Sequence, residues 1–339
     1  MDQKEQKISD LGEFGFIRSI EAECLFSPEK VIQGIGDDCA VIGPYDGKVL
    51  LVTTDMLLQD IHFILPKTSP QVIGRKAAVV NLSDIAAMGG EPRHLFMSLA
   101  APRAMDVGIL HAMYRGVKGV CRDYGVNILG GDTSAFSEGI MISVTVIGEA
   151  REEEVLYRSG AGPGDRIYVT GTLGDSAAGL KLIKEQVTAP DKTAFPLRDA
   201  HNLPVPFMEA GRMIARSGLA SAMIDLSDGL LSDLRHVCEA SGVGARLFRS
   251  ALPLSEEVRT LARLNKLDPY ELALHGGEDY RLLVTVPEAH IEPFERMFKE
   301  TGPCRVYGIG ETTEKKGLGV IGPDGAEQGL EAAGFDHFK

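Results

Sequence analysis

Aspartates recur beside glycine, serine or threonine at five places along the chain, each time next to an apolar run. The local strings are GIGDDCAVI at 34–42, LLVTTD at 50–55, NLSDIAAMGG at 81–90, LGGDTS at 129–134 and MIDLSDGLLSDL at 223–234. A carboxylate just beyond a buried strand is held rigidly yet still reaches water, and such oxygen ligands suit hard divalent cations such as Mg²⁺. The strings together predict a site that holds several metal ions and handles phosphate.

Each string also has a plainer structural interpretation. Gly130 and Gly131 fit a hairpin turn, because glycine readily takes positive φ. Ser227 or Asp228 fits the N-cap of the helix that follows. Five unrelated caps and turns would not be expected to share one acidic pattern, so the conjunction favours the metal site. Divalent ions would keep the mutually repelling carboxylates ionised.

The common phosphate-binding loops are missing from the sequence. The nearest approach to a P-loop, GPYDGKV at 43–49, is one residue short and lacks the final Ser or Thr. The string GAGPGD at 160–165 precedes an expected strand, whereas a dinucleotide fingerprint follows one. We interpret both as turns, so metals and other loops must handle any phosphate.

Composition narrows the class of protein. The chain has 339 residues, 35 Lys plus Arg against 48 Asp plus Glu, and a formal net charge of -13, which opposes binding to nucleic acid or anionic membrane. No apolar run approaches 18 residues, and the start MDQKEQKISD lacks the core of a signal peptide. The five cysteines are widely spaced without a CxxC pair, which indicates reduced thiols. We expect a soluble cytoplasmic protein.

Strand-like and helical runs alternate, which predicts an α/β or α+β class, and the length predicts two domains. Expected strands include 48–55, 94–102 and 140–150, and expected helices start at Ser69-Pro70 and cover 106–123. The first of these helices should carry Asp84 near its middle or end. A charge run followed by Gly and Pro at 151–165 is the best candidate for a junction, so we predict domains at 1–150 and 151–339.

Taken in order, the acidic strings resemble those of the thiamine-monophosphate kinase family. Further strings extend the likeness from about residue 10 to the C-terminus: RSGAGPGD, VTGTLGDSAAGL, GGEDY and GFDHF. The wider group includes aminoimidazole ribonucleotide synthetase, selenophosphate synthetase and a hydrogenase maturation protein. NLSDIAAMG with IDLSDGL and GGEDY is more specific to the kinase.

The resemblance implies an architecture and a set of ligands. Two N-terminal mixed-sheet domains would pair into a barrel-like homodimer interface, with ATP and several Mg²⁺ ions in a cleft against a C-terminal α/β domain. Metal ligands are implied at Asp38, Thr53, Thr54, Asp55, Asp84, Asp132, Asp225 and Asp228. ATP contacts are implied at Tyr114, Gly131, Asp132, Arg158 and Ser227. Substrate contacts are implied at His62, Glu278 and Phe335. Asp37 is interpreted as shaping its turn only.

Several of these residues keep an alternative interpretation on local grounds. His62 fits a partly exposed histidine, and Tyr114 fits a core side chain. Arg158 follows the acidic run at 152–154 and fits a salt-bridging residue as well as a phosphate clamp. Glu278 lies in GGEDY, which also fits a plain turn.

One departure from the family pattern concerns the substrate pocket. Family members often carry a tryptophan shortly before the terminal GYDHF-like string, but this chain has no Trp and places Glu331-Ala332-Ala333 there. Phe335, Phe338 or Tyr280 would then supply the stacking surface.

The implied reaction is transfer of the ATP γ-phosphate to the phosphate of thiamine monophosphate, giving thiamine diphosphate and ADP. The acceptor is largely dianionic at neutral pH, so no general base is expected among the side chains. One alternative is another ATP-dependent enzyme of the same superfamily. A second is a non-catalytic protein that binds nucleotide or thiamine phosphate. Selenophosphate synthetase chemistry would need a reactive Cys and a Lys near the N-terminus, which Cys24 does not convincingly provide.

Overall fold

The computed structural model describes residues 7–21 and 24–330. Within these residues the chain forms ten α-helices and two seven-stranded mixed sheets. The fold is a two-domain α+β fold. No helix among the described residues is both long and apolar enough to span a membrane.

The strands of the first sheet follow one another from residue 31 to residue 151. They are β1 Val31–Gln33, β2 Ala40–Tyr45, β3 Lys48–Leu58, β4 Glu91–Ala101, β5 Asn127–Gly130, β6 Thr133–Ala135 and β7 Met141–Arg151. The second sheet contains β8 Arg166–Thr170, β9 Ala222–Asp225, β10 Gly244–Phe248, β11 Leu282–Val286, β12 Val306–Thr313, β13 Leu318–Ile321 and β14 Glu327–Leu330.

The helices lie between these strands. They are α1 Ile8–Ile20, α2 Pro70–Ala87, α3 Val107–Tyr124, α4 Asp175–Ile183, α5 Asp191–Asn202, α6 Met208–Ser217, α7 Leu230–Ser241, α8 Glu256–Asn265, α9 Pro269–His275 and α10 Ile291–Thr301. The predicted helices at Ser69-Pro70 and at 106–123 are therefore present as α2 and α3, and Asp84 lies in the last turn of α2.

The first sheet has the order β1-β2-β3-β7-β4-β5, and β6 also pairs with β4. Its strands alternate buried and more accessible residues, because one face packs on α2 while the other has no cover within the described chain. Helix α2 is apolar around most of its circumference and is buried along most of its length. It contacts β3 and β7 on one side and α6 and β9 on the other. This helix therefore lies between the two sheets.

The second sheet has the order β14-β13-β10-β12-β8-β11-β9. Every pairing in it is antiparallel except that of β10 with β13. The prediction of an α/β C-terminal domain is corrected to α+β. Alternating helical and strand-like runs do not reveal strand direction, which depends on the path of each connection.

The segment 152–165 joins the two sheets, and the domain division at 150/151 stays a prediction. One apolar core extends from the first sheet through α2 to residues of the second sheet such as Tyr168, Met223 and Val284. A second core lies on the other face of the second sheet. Helix α5 was not predicted, because it contains Pro196 and lies in a polar stretch.

Helices α2 and α3 cross at unusually small separation. A Cβ added to Gly116 of α3 would lie 1.9 Å from the carbonyl oxygen of Gln71, and one added to Gly74 of α2 would lie 1.9 Å from that of Met113. Each glycine therefore permits backbone contact with the opposite helix. Because α2 carries Asp84, this contact helps to set the position of that carboxylate.

We predict that Gly116→Ala destabilises the protein by about 1–3 kcal/mol, because the two helices must separate to admit the methyl group. Gly119 lies on the same helix with no atom within 4 Å of an added Cβ. Gly119→Ala is the matched control and should stabilise by about 0.5–1 kcal/mol through helix propensity alone. Urea denaturation followed by circular dichroism measures both. Equal effects of the two changes would contradict the close-packing argument.

Candidate metal and phosphate site

Three segments that are distant in sequence bring carboxylates together between the two sheets. Asp38 comes from the loop between β1 and β2, Asp84 from the end of α2 and Asp225 from the last residue of β9. One oxygen of each lies within 4.8 Å of the others. These three residues are named the acidic cluster below. They are three of the eight positions at which metal ligands were predicted.

Short hydrogen bonds from neutral side chains orient the acidic cluster. Thr53 Oγ1 donates to Asp84 Oδ2 at 2.5 Å, and Ser83 Oγ donates to Asp225 Oδ2 at 2.6 Å. Oδ2 of Asp38 is buried and has no hydrogen-bond partner among the described residues. A buried carboxylate oxygen without a donor is costly unless a cation fills that role. The donor set of the cluster therefore fits a hard divalent cation.

Asp55 and Thr54 differ because successive side chains on a strand point to opposite faces. Asp55 shares its face of β3 with Thr53 and lies near the acidic cluster, whose charges act on it. Thr54 points to the other face, where its hydroxyl donates to the Val144 carbonyl and contacts Thr145 Oγ1. The Thr54 side chain is thus not a metal ligand in this arrangement. Only the backbone carbonyl oxygen of Thr54 remains available to bind a metal ion.

Burial raises the pKa of each of these carboxyls, and repulsion from neighbouring carboxylates adds to the shift at Asp55, Asp84 and Asp225. Burial and the charge of Asp38 raise the pKa of Asp225 to about 8 and that of Asp55 to about 6. The pKa of Asp84 lies well above its usual range, because of burial first and of Asp55 and Asp225 next. Burial also raises the pKa of Asp38, although Arg158 opposes that shift. In the absence of cations the site favours protonated acids, and bound divalent ions would reverse this preference.

Arg158 lies in the segment that joins the sheets and pairs with Asp38. Its Nε donates to Asp38 Oδ1 at 3.0 Å, and Nη2 donates to the same oxygen at 2.5 Å. Its backbone N–H donates to Asp37 Oδ2 at 3.1 Å. Asp37 therefore holds the turn beside the cluster, and that it serves the turn only stays a prediction. The guanidinium lies at the cluster, where it could also meet a phosphate.

The loop after β9 carries Ser227 and Asp228. It is held by Asp233, for which the sequence predicted no role. Asp233, a buried residue in the first turn of α7, accepts hydrogen bonds from the backbone N–H groups of Asp228 and Gly229. The Ser227 carbonyl accepts a hydrogen bond from the Glu278 N–H at 2.6 Å. Asp228 follows the cluster residue Asp225 by three positions but is not one of the three acids whose oxygens converge. The signal for Asp233 in the sequence is an acidic residue near the start of a helix, where backbone N–H groups lack partners within the helix.

Gly131 and Asp132 lie at the edge of the first sheet, between β5 and β6. Gly131 has φ 151°, and an added Cβ would lie 1.8 Å from the Met97 carbonyl oxygen, so only glycine fits there. The Asp132 carbonyl accepts from the Leu99 N–H, while its side chain is exposed and outside the acidic cluster. Tyr114 is half-buried on α3 and packs against the first core. Within one chain, the predicted ATP contacts Tyr114, Gly131 and Asp132 therefore do not lie at the acidic cluster.

The predicted substrate residues His62 and Glu278 both contact a buried lysine for which the sequence predicted no role. Lys76 of α2 donates to Glu278 Oε1 at 2.8 Å and to the His62 carbonyl at 3.4 Å. His201 Nδ1 lies 3.2 Å from Glu278 Oε2. A lysine within the apolar pattern of α2 was the signal for this contact. Phe335 and Phe338 lie outside the described residues, and Tyr280 is buried.

Two family models match the chain. AIR synthase related protein, N-terminal domain, matches residues 36–150, and AIR synthase related protein, C-terminal domain, matches residues 162–323. The two matches cover the first sheet except β1 and the second sheet except β14, and they include Asp38, Asp84 and Asp225. Fold and site together thus define an AIR synthase related protein.

Individual relatives narrow this class. The thiamine-monophosphate kinase of Haemophilus influenzae is 36% identical over 335 residues, which cover 97% of this chain and 98% of the relative. That of Bacillus subtilis is 36% identical over 337 residues, which cover 97% and 100%. The solved structure of AaThiL complexed with AMPPCP and TMP superposes with a TM-score of 0.84 at 35% identity and covers 98% of this chain and 99% of that one. The chain belongs to the thiamine-monophosphate kinase family, and the resemblance seen in its strings is confirmed.

We predict that Mg²⁺ raises the melting temperature of metal-stripped protein, and does so more at pH 8 than at pH 6. The folded pKa values of about 6 for Asp55 and about 8 for Asp225 exceed the unfolded value of about 4. Between these values the folded state binds more protons than the unfolded state, so metal-free stability falls as pH rises. Cations that replace the protons restore it. Thermal unfolding with and without MgCl₂ at both pH values measures the difference.

Asp84→Asn removes a buried carboxyl that, without metal, must either take up a proton or repel its neighbours. It should raise metal-free stability at pH 8 and largely abolish the gain from Mg²⁺. Asp46→Asn, at an exposed turn with φ 51°, is the control and should leave both quantities unchanged. A Mg²⁺ gain that is equal in Asp84→Asn and in the parent protein would contradict the assignment of Asp84 as a ligand.

Proposed function

We propose that this protein transfers the γ-phosphate of ATP to the phosphate of thiamine monophosphate, giving thiamine diphosphate and ADP. The observation that carries the proposal is the convergence of Asp38, Asp84 and Asp225 from both halves of a chain that its kinase relatives match over nearly full length. AMPPCP, an ATP analogue, and TMP occupy the AaThiL complex that superposes on this chain. An acidic site would repel two anionic substrates, so it can bind both of them only if cations bind there as well.

Mg²⁺ would be held by the acidic cluster, with Asp55 beside it and with Asp132, Asp228 and the Thr54 carbonyl as further proposed donors. When bound, it would neutralise charge on the transferred phosphoryl group and on both phosphates. Thr53 and Ser83 contribute by orienting Asp84 and Asp225 through their hydroxyl groups.

The protein side chains would act by binding and orienting rather than by moving protons. The acceptor phosphate has a second pKa of about 6, so it is largely dianionic at neutral pH and needs no general base. We propose direct in-line transfer without a phosphorylated protein intermediate. Arg158 would exchange part of its contact with Asp38 for a phosphate oxygen, since a guanidinium binds both groups in the same geometry. Tyr114, Gly131 and Ser227 would contact ATP, and His62 and Glu278 would contact the substrate.

We also propose a homodimer formed by the open face of the first sheet. Paired rows on this face include Met56 with Ser143 and Ser98, and Thr54 with Thr145 and Phe96. Met56 and Leu50 are 49% and 37% exposed there. A sheet face that exposes apolar side chains among Ser and Thr, and that no described element covers, favours a partner; a second copy would form the barrel-like interface that the resemblance implies. All five cysteines are unpaired, which supports the proposed cytoplasmic location.

We predict that purified protein with ATP and Mg²⁺ forms thiamine diphosphate from thiamine monophosphate and not from thiamine. With γ-labelled ATP, the label should appear in thiamine diphosphate and not on the protein. Asp55→Asn should lower turnover by at least about a hundredfold with the fold retained, because it weakens charge stabilisation at the transferred group. Product analysis by chromatography tests each point. ATP consumption with another acceptor only, or a trapped phosphoprotein, would overturn the proposal.

The dimer gives a separate prediction. Met56→Glu places a charge in the open sheet face and should convert a dimer to a monomer, as measured by light scattering after size-exclusion chromatography. Leu264→Glu, at a 54% exposed position on α8, is the matched control and should leave the dimer intact. A monomeric parent protein, or a Met56→Glu dimer of undiminished stability, would contradict the interface.

A further inference from the structure

A buried set of charged and polar groups joins the two halves of the chain at some distance from the acidic cluster. It consists of Lys76 on α2, Glu278 in the loop before β11 and His201 on α5, and is named the polar bridge below. Lys76 Nζ lies 2.8 Å from Glu278 Oε1, and His201 Nδ1 lies 3.2 Å from Glu278 Oε2. Each carboxylate oxygen of Glu278 therefore has its own partner.

Exposure distinguishes the members of the polar bridge. The Lys76 side chain is 3% exposed and that of His201 is 6% exposed, whereas that of Glu278 is 23% exposed. Lys76 and His201 thus contact Glu278 on its buried side. Of the three residues, only Glu278 has an accessible edge that a ligand could contact. Burial of a lysine is costly without a charged partner, so the contact with Glu278 determines where the Lys76 ammonium can lie.

The protonation states fit a single ion pair supported by a hydrogen bond. Although burial acts to raise it, Lys76 and His201 lower the pKa of Glu278 below its usual range. Burial and the charge of Lys76 lower the pKa of His201 to about 4, so its ring is neutral at pH 7. In its Nδ1–H tautomer, a neutral His201 has both the Glu278 carboxylate and Ser176 Oγ as acceptors within reach. Ser176 Oγ, 3.0 Å from the same nitrogen, extends the network to α4.

The backbone around Glu278 needs this support. Glu278 and Tyr280 both have positive φ, 62° and 49°, a region that non-glycine residues adopt at some cost. Their N–H groups donate to the carbonyls of Ser227 and Leu226, which immediately follow Asp225. The loop is therefore fastened to the metal site by its backbone and to α2 by the Glu278 side chain.

Helix α2 supports both regions. Lys76 and Asp84 are eight residues apart, which corresponds to about 12 Å along a helix axis. One rigid helix thus sets the separation between the Glu278 carboxylate and the acidic cluster. A substrate with a phosphate at one end and heterocyclic rings at the other needs such a fixed separation.

We propose that Lys76 is a positioning residue that, with His201, holds Glu278 so that its accessible edge meets the ring portion of thiamine monophosphate while the phosphate reaches the acidic cluster. The inference rests on the proposed function, since it takes thiamine monophosphate as the ligand. Lys76 touches neither substrate and acts through Glu278.

The test is a double-mutant cycle on the full-length protein with Lys76→Met and Glu278→Gln. Lys76→Met should raise KM for thiamine monophosphate at least about tenfold and leave KM for ATP within twofold. In the Glu278→Gln background the same change should have an effect of less than about threefold, because the group through which Lys76 acts is already altered. Lys67→Met is the matched control. Lys67 also joins the two halves, through an exposed pair with Glu185 at 3.0 Å, and its loss should leave both KM values unchanged.

Several outcomes would overturn the inference. These are an unchanged KM for thiamine monophosphate in Lys76→Met, equal rises in both KM values, or a Lys76→Met effect that is as large with Gln at position 278. If Lys76→Met does not fold, His201→Asn tests the same positioning from the other oxygen and should raise KM for thiamine monophosphate alone. Calorimetric binding of thiamine monophosphate without ATP separates the two proposals. Parent protein that binds but does not turn over contradicts the kinase activity only, and undiminished binding by Lys76→Met contradicts the positioning role only.

Discussion

The fold holds three mutually repelling carboxylates close together between its two sheets. Asp38, Asp84 and Asp225 come from a loop, a helix and a strand, and no one of these elements could hold the group alone. Apolar packing around α2 supplies the force that keeps the acids together. Among the residues that the structure describes, only Arg158 forms an ion pair with the cluster, so the site retains an affinity for added positive charge.

The electrostatic environment of the polar bridge is the opposite of that of the acidic cluster, although helix α2 contributes to both. Glu278 has a lysine and a histidine within reach, and its pKa is lowered, whereas the acids of the cluster have raised pKa values. At the polar bridge the protein itself therefore balances the charge of Glu278. At the acidic cluster it leaves negative charge that bound cations would balance. Helix α2 connects the two conditions mechanically, since it contributes Lys76 to one and Asp84 to the other.

Local patterns predicted much of the secondary structure because they depend on neighbouring residues only. The alternation in β3 and β7, the Ser69-Pro70 start of α2 and the apolar face of α3 were visible in the sequence. Helix α5 was missed because its composition is polar and contains Pro196, and its burial against α4 and α8 depends on tertiary packing. Strand direction in the second sheet was likewise unavailable, since periodicity is the same for parallel and antiparallel strands.

The order of residues was enough to identify the family and the acidic strings, because side-chain chemistry and local spacing can be read from it directly. Which of those acids converge is known only from the folded chain. The tertiary structure selected Asp38, Asp84 and Asp225, turned the Thr54 side chain to the opposite face of its strand and left Asp132 exposed at a sheet edge. It also paired Lys76 with a glutamate about 200 residues away in the chain. Such contacts depend on how the two sheets pack across α2, and no local pattern encodes that packing.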